Sequence, residues 1–153
     1  RMTRDRMKAL KFSNEMVSDV THLVYLHLRF HTYQMGWTDA AVRRFVRDAG
    51  PLLGELIALT RADCTTRNRK RAEALDRRID DLERRIAELQ ASEELAAIRP
   101  DLDGQQVMAH LGIEPGRDVG QALDHLLELR LEHGPLGEER AYAELDDWWS
   151  ARA

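Results

Sequence analysis

Apolar residues recur every three or four positions along almost the whole chain, and no stretch sustains the period-two alternation of a half-buried strand. The pattern predicts an all-α protein. Residues 1–10 read as the end of a helix, interrupted around Lys11 to Asn14. From Glu15 an apolar stripe passes through Val17, Val20, Val24, His27 and Leu28, predicting a helix that ends near His31. Tyr33 to Trp37, with Gly36, reads as a loop. Thr38 before Asp39 is a good N-cap for a helix reaching Asp48. Gly50–Pro51 stops that helix and opens another, with the proline in the first turn, where its missing N–H costs nothing. Leu52, Leu53, Leu56, Ile57 and Leu59 give the new helix a wide apolar face for burial against other helices.

Residues 67–97 carry a narrower stripe. Leu75, Ile79, Leu82, Ile86 and Leu89 are spaced 4, 3, 4 and 3 apart, with polar and charged residues between them. Isoleucine at one heptad position and leucine at the other is the preference of a two-stranded coiled coil. Two readings stand here: an extended arm packed on a helix of its own chain, or a seam for a homodimer through Leu75–Leu89. Pro100 ends the arm. Beyond it, Asp103 and Gln106 form a capping box, with Leu102 placed as its staple. That short helix ends at Gly112. Pro115–Gly116 makes a turn, and Asp118 caps a helix burying Leu123, Leu126, Leu127 and Leu131. Gly134–Pro135 breaks it before a last helix with Tyr142, Leu145, Trp148 and Trp149, one tryptophan closing the core and the other partly exposed. The expected organisation is a helical bundle over 1–66, an extended helical arm over 67–97 and a small three-helix tail subdomain over 98–153.

With 43% hydrophobic and 33% charged residues in 153, the composition is that of a folded chain of one or two small domains. The net charge of −4 hides an asymmetry. Residues 1–90 hold 18 Lys/Arg against 13 Asp/Glu, whereas 91–153 hold 5 against 14. Only the front could meet a polyanion through its bulk charge. The single cysteine, Cys64, excludes an internal disulfide framework and a Cys-cluster zinc site, and makes the cytoplasm the default compartment. No apolar run approaches the roughly 18 residues of a membrane span, so no membrane partner is expected. The start, RMTRDRMKAL, lacks the apolar region of a signal peptide and reads as an entry partway into a longer chain.

The run RADCTTRNRKR (61–71) is the most informative short segment. Arg61, Thr65, Thr66, Arg67, Asn68, Arg69, Lys70 and Arg71 supply cations, hydroxyls and an amide where a helical arm begins, the groups that contact a sugar–phosphate backbone. The alternative is a solvated helix start, ion-paired to Glu73 and Asp76. His27 and His31 lie four apart on one helix face and could present two imidazoles to one metal, and Asp63 is the carboxylate with the most unusual context. Each also has an ordinary structural reading. His22 reads as a surface residue, and His110, His125 and His133 read as structural or surface residues. No Walker-type or dinucleotide-binding loop is present, and the chain contains no complete catalytic constellation.

The order of these pieces resembles the C-terminal half of bacterial CCA-adding tRNA nucleotidyltransferases, the poly(A) polymerase family, in its actinobacterial form. The matching stretches are RMKALKFSNEMVSDVTHLVYLHLRFH (6–31), GWTDAAVRRFVRDAG (36–50), RADCTTRN (61–68) and RPDLDGQQVMAHLGIEPGRDVGQALDHLLELRLEHGPL (99–136), more than half of the chain. The resemblance implies that polymerase chemistry, with its Mg²⁺ and its CTP or ATP, belongs to a head domain that this chain lacks. Its own part holds tRNA so that the 3′ hydroxyl reaches the nucleotide α-phosphate, and is not itself catalytic. It also implies that 1–66 is part of an HD-type domain, a metal phosphohydrolase fold. Asp63, after Ala62, resembles the closing HD aspartate, and His27 resembles a later histidine. A second divalent metal would sit there only with ligands that would precede Arg1. Residues 99–136 resemble the tRNA-contacting tail. Because 98–153 hold 5 Lys/Arg against 12 Asp/Glu, that contact is expected to be local. It would use backbone N–H groups around Gly112 to Gly120 with Arg99, Arg117 and Arg130. Two other classes stand beside this reading, a helical dimerisation module and a remnant of an HD-type hydrolase.

Overall fold

A computed structural model describes residues 2–30, 37–63, 68–93, 95 and 98–152. Among the described residues every regular element is helical, as the spacing predicts, and the protein is an all-α helical bundle. The chain divides into two compact units, residues 1–88 and 89–153.

The first unit holds α1 (Met2–Ala9), α2 (Asn14–Phe30), α3 (Asp39–Ala49), α4 (Leu53–Ala62) and most of α5 (Arg69–Ser92). Lys11, in the left-handed region at φ 59°, ends α1. There the Phe12 N–H reaches the Met7 carbonyl and the Lys11 N–H the Lys8 carbonyl, at 3.2 and 3.0 Å. These are the paired closing bonds of a helix C-terminus. Ser13 then starts α2 by accepting the Met16 N–H at 3.2 Å. α2 packs on α1, α3 and α4 and buries Val17, Leu26 and Phe30. The expected stripe through Leu28 is displaced, since Leu28 is exposed and Val20, Val24 and His27 are half-buried. α2 carries apolar residues on two faces, and the pattern alone does not choose which one its neighbours cover. His22 is not a surface residue either. It is half-buried, with Nε2 2.6 Å from the Asp48 carbonyl oxygen.

α3 begins as expected, with the Thr38 hydroxyl accepting the Ala41 N–H at 3.2 Å. It buries Ala40, Val42, Phe45, Val46 and Ala49, and Trp37 meets Phe45 edge-on. Gly50, at φ 52°, closes it, and Pro51 sits in a one-turn 3-10 segment, Gly50–Leu52, ahead of α4. The apolar face of α4 is narrower than expected: Leu56 is fully buried while Leu52, Leu53, Ile57 and Leu59 are not. On α5, Ile79, Leu82 and Ile86 are buried by the chain's own elements and Leu75 is half-buried. Burial within one chain supports the first of the two readings of that stripe.

The second unit contains α6 (Gly104–Leu111), α7 (Arg117–His133) and α8 (Glu138–Ser150). Its capping box forms as expected, the Asp103 carboxylate accepting the Gln106 N–H at 2.9 Å and the Gln106 amide oxygen accepting the Asp103 N–H at 2.8 Å. Gly112, at φ 65°, provides the left-handed cap of α6. Asp118 is not the cap of α7. Gly116 holds that position and Asp118 lies in the first turn, its carboxylate 3.6 Å from the Arg152 guanidinium. The core is Leu102, Val107, Val119, Ala122, Leu126, Ala141 and Leu145, with Leu123, Tyr142 and Trp148 packed against it. Trp148 and Trp149 are both half-buried.

Arg130 is the largest departure in this unit. It is buried, with its guanidinium 3.8 Å from Glu93 and 3.9 Å from Asp101, so it serves the interior and does not face a phosphate. His110 Nε2 donates to the Asp146 carboxylate at 2.7 Å, and the ring lies against that of Tyr142. His125 stacks on Trp148, whose ring is also covered by Arg152. Burial pushes the His125 imidazole below its ordinary value of 6.5, against the opposing pull of Glu144.

Leu126→Ala removes a fully buried side chain from a small core and should destabilise the second unit by about 2–5 kcal/mol. Urea unfolding followed through Trp148 and Trp149 measures this. His125 gives a pH dependence of known sign. Its folded form favours the neutral ring, so the unfolded chain binds the extra proton, and stability is complete above the ordinary value and falls as pH drops through it. Thermal midpoints from about pH 7 to pH 5 should fall less steeply in His125→Gln than in wild type. Parallel curves would contradict the assignment.

Candidate nucleic-acid interface

The reversal between α4 and α5 collects the cations that the sequence singles out. Asn68 caps α5: its side-chain oxygen accepts the Arg71 N–H at 3.3 Å, and its carbonyl receives the N–H groups of Arg71 and Ala72. Arg69, Lys70 and Arg71 follow in the first turn, all exposed, with no acidic residue in that turn. The N-terminal end of a helix is its positive end, so each cation there is disfavoured by roughly 0.3–1 kcal/mol. Arg69 offsets this through an ion pair with Glu73 one turn on, at 2.9 Å. For Lys70 and Arg71 no ion pair forms among the described residues. An exposed first turn with uncompensated cations and helix-end N–H groups is a surface that an anion stabilises. Thr65, Thr66 and Arg67, with Cys64, lie outside the described residues.

Arg61 behaves differently. From the last turn of α4 its guanidinium donates to Asp80 at 2.6 Å and to Glu83, and lies 3.8 Å from Asp76, all three on α5. Those hydrogen bonds, to Asp80 first and then Glu83, raise its pKa further. The arginine thus spans two helices and is occupied. Its place in a basic run groups it with the exposed cations at 69–71, and nearness in sequence suggests Asp76 only as part of a solvated helix start. The spacing of Asp76, Asp80 and Glu83 at i, i+4 and i+7 is the available signal, because it puts three carboxylates on one helix face. Arg85 makes a second bridge, donating to the Trp37 carbonyl and, at 2.7 Å, to Asp39 at the start of α3.

In the second unit Arg99 is exposed, and Arg117 is exposed at the first position of α7. Neither lies in an ion pair among the described residues.

His27 and Asp63 come together as the sequence suggests they could. His27 is half-buried, its Nδ1 3.0 Å from the Val24 carbonyl and its Nε2 3.4 Å from Asp63 Oδ2. A carbonyl only accepts, so Nδ1 donates to Val24, and Nε2 is the ring atom that faces the carboxylate. One imidazole and one carboxylate suit a divalent metal in kind. They fall short in number: among the described residues no group of three His, Cys, Asp or Glu could hold a metal ion. His31 lies outside the described residues. Nor is any helix among them long and apolar enough to cross a membrane.

A helical protein with a basic helix start on one unit and an acidic second unit is the class that fold and site define. Comparison with known proteins gives the kinship. The chain is 36% identical over 121 residues to the A-adding tRNA nucleotidyltransferase of Deinococcus radiodurans, a match covering 76% of this chain and 27% of that enzyme. It is 34% identical over 146 residues to the CC-adding tRNA nucleotidyltransferase of Thermus thermophilus, covering 94% of this chain and 30% of that enzyme. Over most of its length the chain is therefore similar to tRNA nucleotidyltransferases, and it spans under a third of the length of the relatives it matches. No family model matches it, and no solved structure does.

Proposed function

We propose that this chain is a tRNA-holding part of an enzyme that adds nucleotides to the tRNA 3′ end, and that it positions RNA without making the new bond. The observation that carries this reading is that one stretch is similar both to an A-adding and to a CC-adding enzyme. A segment shared by two nucleotide specificities fits the task common to both, which is engaging tRNA, and does not fit the choice of nucleotide. The exposed cations at the start of α5 supply the chemistry. Lys70 and Arg71, on the turn that Asn68 caps, pair with backbone phosphates, and Arg69 joins when phosphate competes with Glu73. Thr65, Thr66, Arg67, Arg99 and Arg117 complete the proposed contact set, and Arg61 is left out because carboxylates already hold it.

Double-helical RNA is recognised largely by shape and backbone, so a basic turn on a fixed helical frame suits it. In the whole enzyme the tRNA 3′ hydroxyl would attack the α-phosphate of CTP or ATP, with Mg²⁺ held by acidic residues outside this stretch. Placement of the RNA is then this chain's contribution to the rate.

A second reading, a remnant of an HD-type metal site, is favoured by the convergence of His27 on Asp63. Mn²⁺ titration of the chain, followed by electron paramagnetic resonance, tests it: uptake lost in His27→Ala supports it, and equal uptake overturns it. For the main reading, binding of a tRNA acceptor–T-arm hairpin should be measured across a salt series. Lys70→Gln/Arg71→Gln should bind more weakly, with the slope of log K against log salt reduced by about 1.4–1.8. Superimposable wild-type and variant curves would defeat the proposed contact.

A further inference from the structure

The Arg61 cluster stands beside the basic turn and is not used by the contact just described. One guanidinium faces three carboxylates, Asp76, Asp80 and Glu83, which lie along the face of α5 that turns back toward α4. Beneath the polar layer, Ile79 and Leu82 are almost completely buried. Arg61 is the last basic residue of α4, and Arg69 opens α5. The direction in which α5 leaves the reversal, and with it the placement of Lys70 and Arg71, depends on what ties the early turns of α5 to the end of α4. Arginine suits this task because its planar fork donates to two carboxylates at once, which a lysine ammonium does not do with the same geometry.

We infer that Arg61 is a positioning residue for the RNA-facing turn: by holding Asp76, Asp80 and Glu83 it ties α5 to the end of α4 and so sets where the first turn of α5 lies. It touches no phosphate. This inference rests on the reading that Lys70 and Arg71 meet RNA, and it separates two properties that a phosphate contact would combine. Losing a contact lowers affinity and flattens the salt dependence together. Losing a positioning residue lowers affinity and leaves the slope in place, because the number of phosphates neutralised is unchanged.

The test uses the whole chain and the same RNA hairpin. Arg61→Gln should weaken binding about fivefold at every salt concentration, with the slope of wild type. Arg61→Glu should weaken it further. Arg61→Glu/Glu83→Arg should recover most of the loss, since the net charge is restored. The arginine introduced on α5 can then reach both the carboxylate introduced on α4 and Asp80, one turn back on its own helix. Hydrogen–deuterium exchange gives a readout that does not need RNA: amides of 69–80 should exchange faster in Arg61→Gln, while those of α7 and α8 keep wild-type protection. Unchanged exchange over 69–80 overturns the positioning role whatever the RNA data are. Faster exchange with unchanged affinity overturns its part in RNA binding, and a reduced salt slope makes Arg61 a phosphate contact. If wild type and Lys70→Gln/Arg71→Gln bind alike, the proposed contact has failed, and the exchange result still decides the role of Arg61.

Discussion

The reversal from α4 into α5 is the constraint on which the proposed RNA-facing surface depends, and two layers of unlike physics hold it. Burial of Ile79, Leu82 and Ile86 supplies most of the stabilisation, about 1.5–3 kcal/mol for each side chain. The exposed ion pairs above them supply direction, at up to about 1 kcal/mol apiece. Together these exceed the cost of beginning a helix with three cations at the positive end of its dipole. An isolated peptide of this sequence would fray at that end. In the protein, α5 is anchored further along, so its first turn can carry residues that destabilise it. A locally unfavourable turn maintained by burial elsewhere is what a binding surface on a helix end requires, because the bound anion then relieves a conflict already present.

The second unit uses its charges differently. Of its five Lys/Arg residues, Arg130 is buried between Glu93 and Asp101, Arg152 lies over Trp148 and bonds Gln121, and Arg140 pairs with Glu144. That leaves Arg99 and Arg117 as its cations outside ion pairs among the described residues. The buried trio is expensive to desolvate, and removing one member would cost more than replacing all of them by apolar side chains. Asp101 also accepts the Leu136 N–H at 3.3 Å, which joins the segment before α6 to the one before α8. The carboxylates of this unit therefore divide into a few that build the interior and many that face solvent.

How much of this the sequence discloses follows from which signals are local. Caps are legible: Thr38, the Asp103–Gln106 box, Gly50, Gly112 and Gly134 act where the sequence puts them, because a cap depends on the few residues around it. The face that a helix buries is less legible. Leu28 and Leu26 are equally apolar, and only the positions of α1, α3 and α4 select Leu26. Long-range pairing of charges is least legible. Arg61 looks like its neighbours at 69–71, and Arg130 looks like Arg99 and Arg117. What separates them is a carboxylate 15 or more positions away. Position along the chain holds the information for Asp76, Asp80 and Glu83 as a face, but not for the arginine that meets it. The convergence of His27 on Asp63 comes through resemblance to a family and not through spacing.

The charge asymmetry sets a limit on how such a chain can hold RNA. At physiological salt the screening length is about 8 Å, so a phosphate senses the few charges beside it and not the total of −4. The cations of α5's first turn can therefore attract RNA although the second unit carries an excess of acid. The same screening makes that excess useful. Exposed carboxylates on most of the second unit disfavour approach of a polyanion everywhere except near Arg99 and Arg117, so RNA that meets this chain has few surfaces on which to lie. Weak local attraction combined with broad local repulsion fixes orientation more than affinity. A segment that forms under a third of its relatives' length has reason to be built this way. On the function proposed above it need only set the direction of a tRNA, and tight binding by it alone would slow release of the finished product.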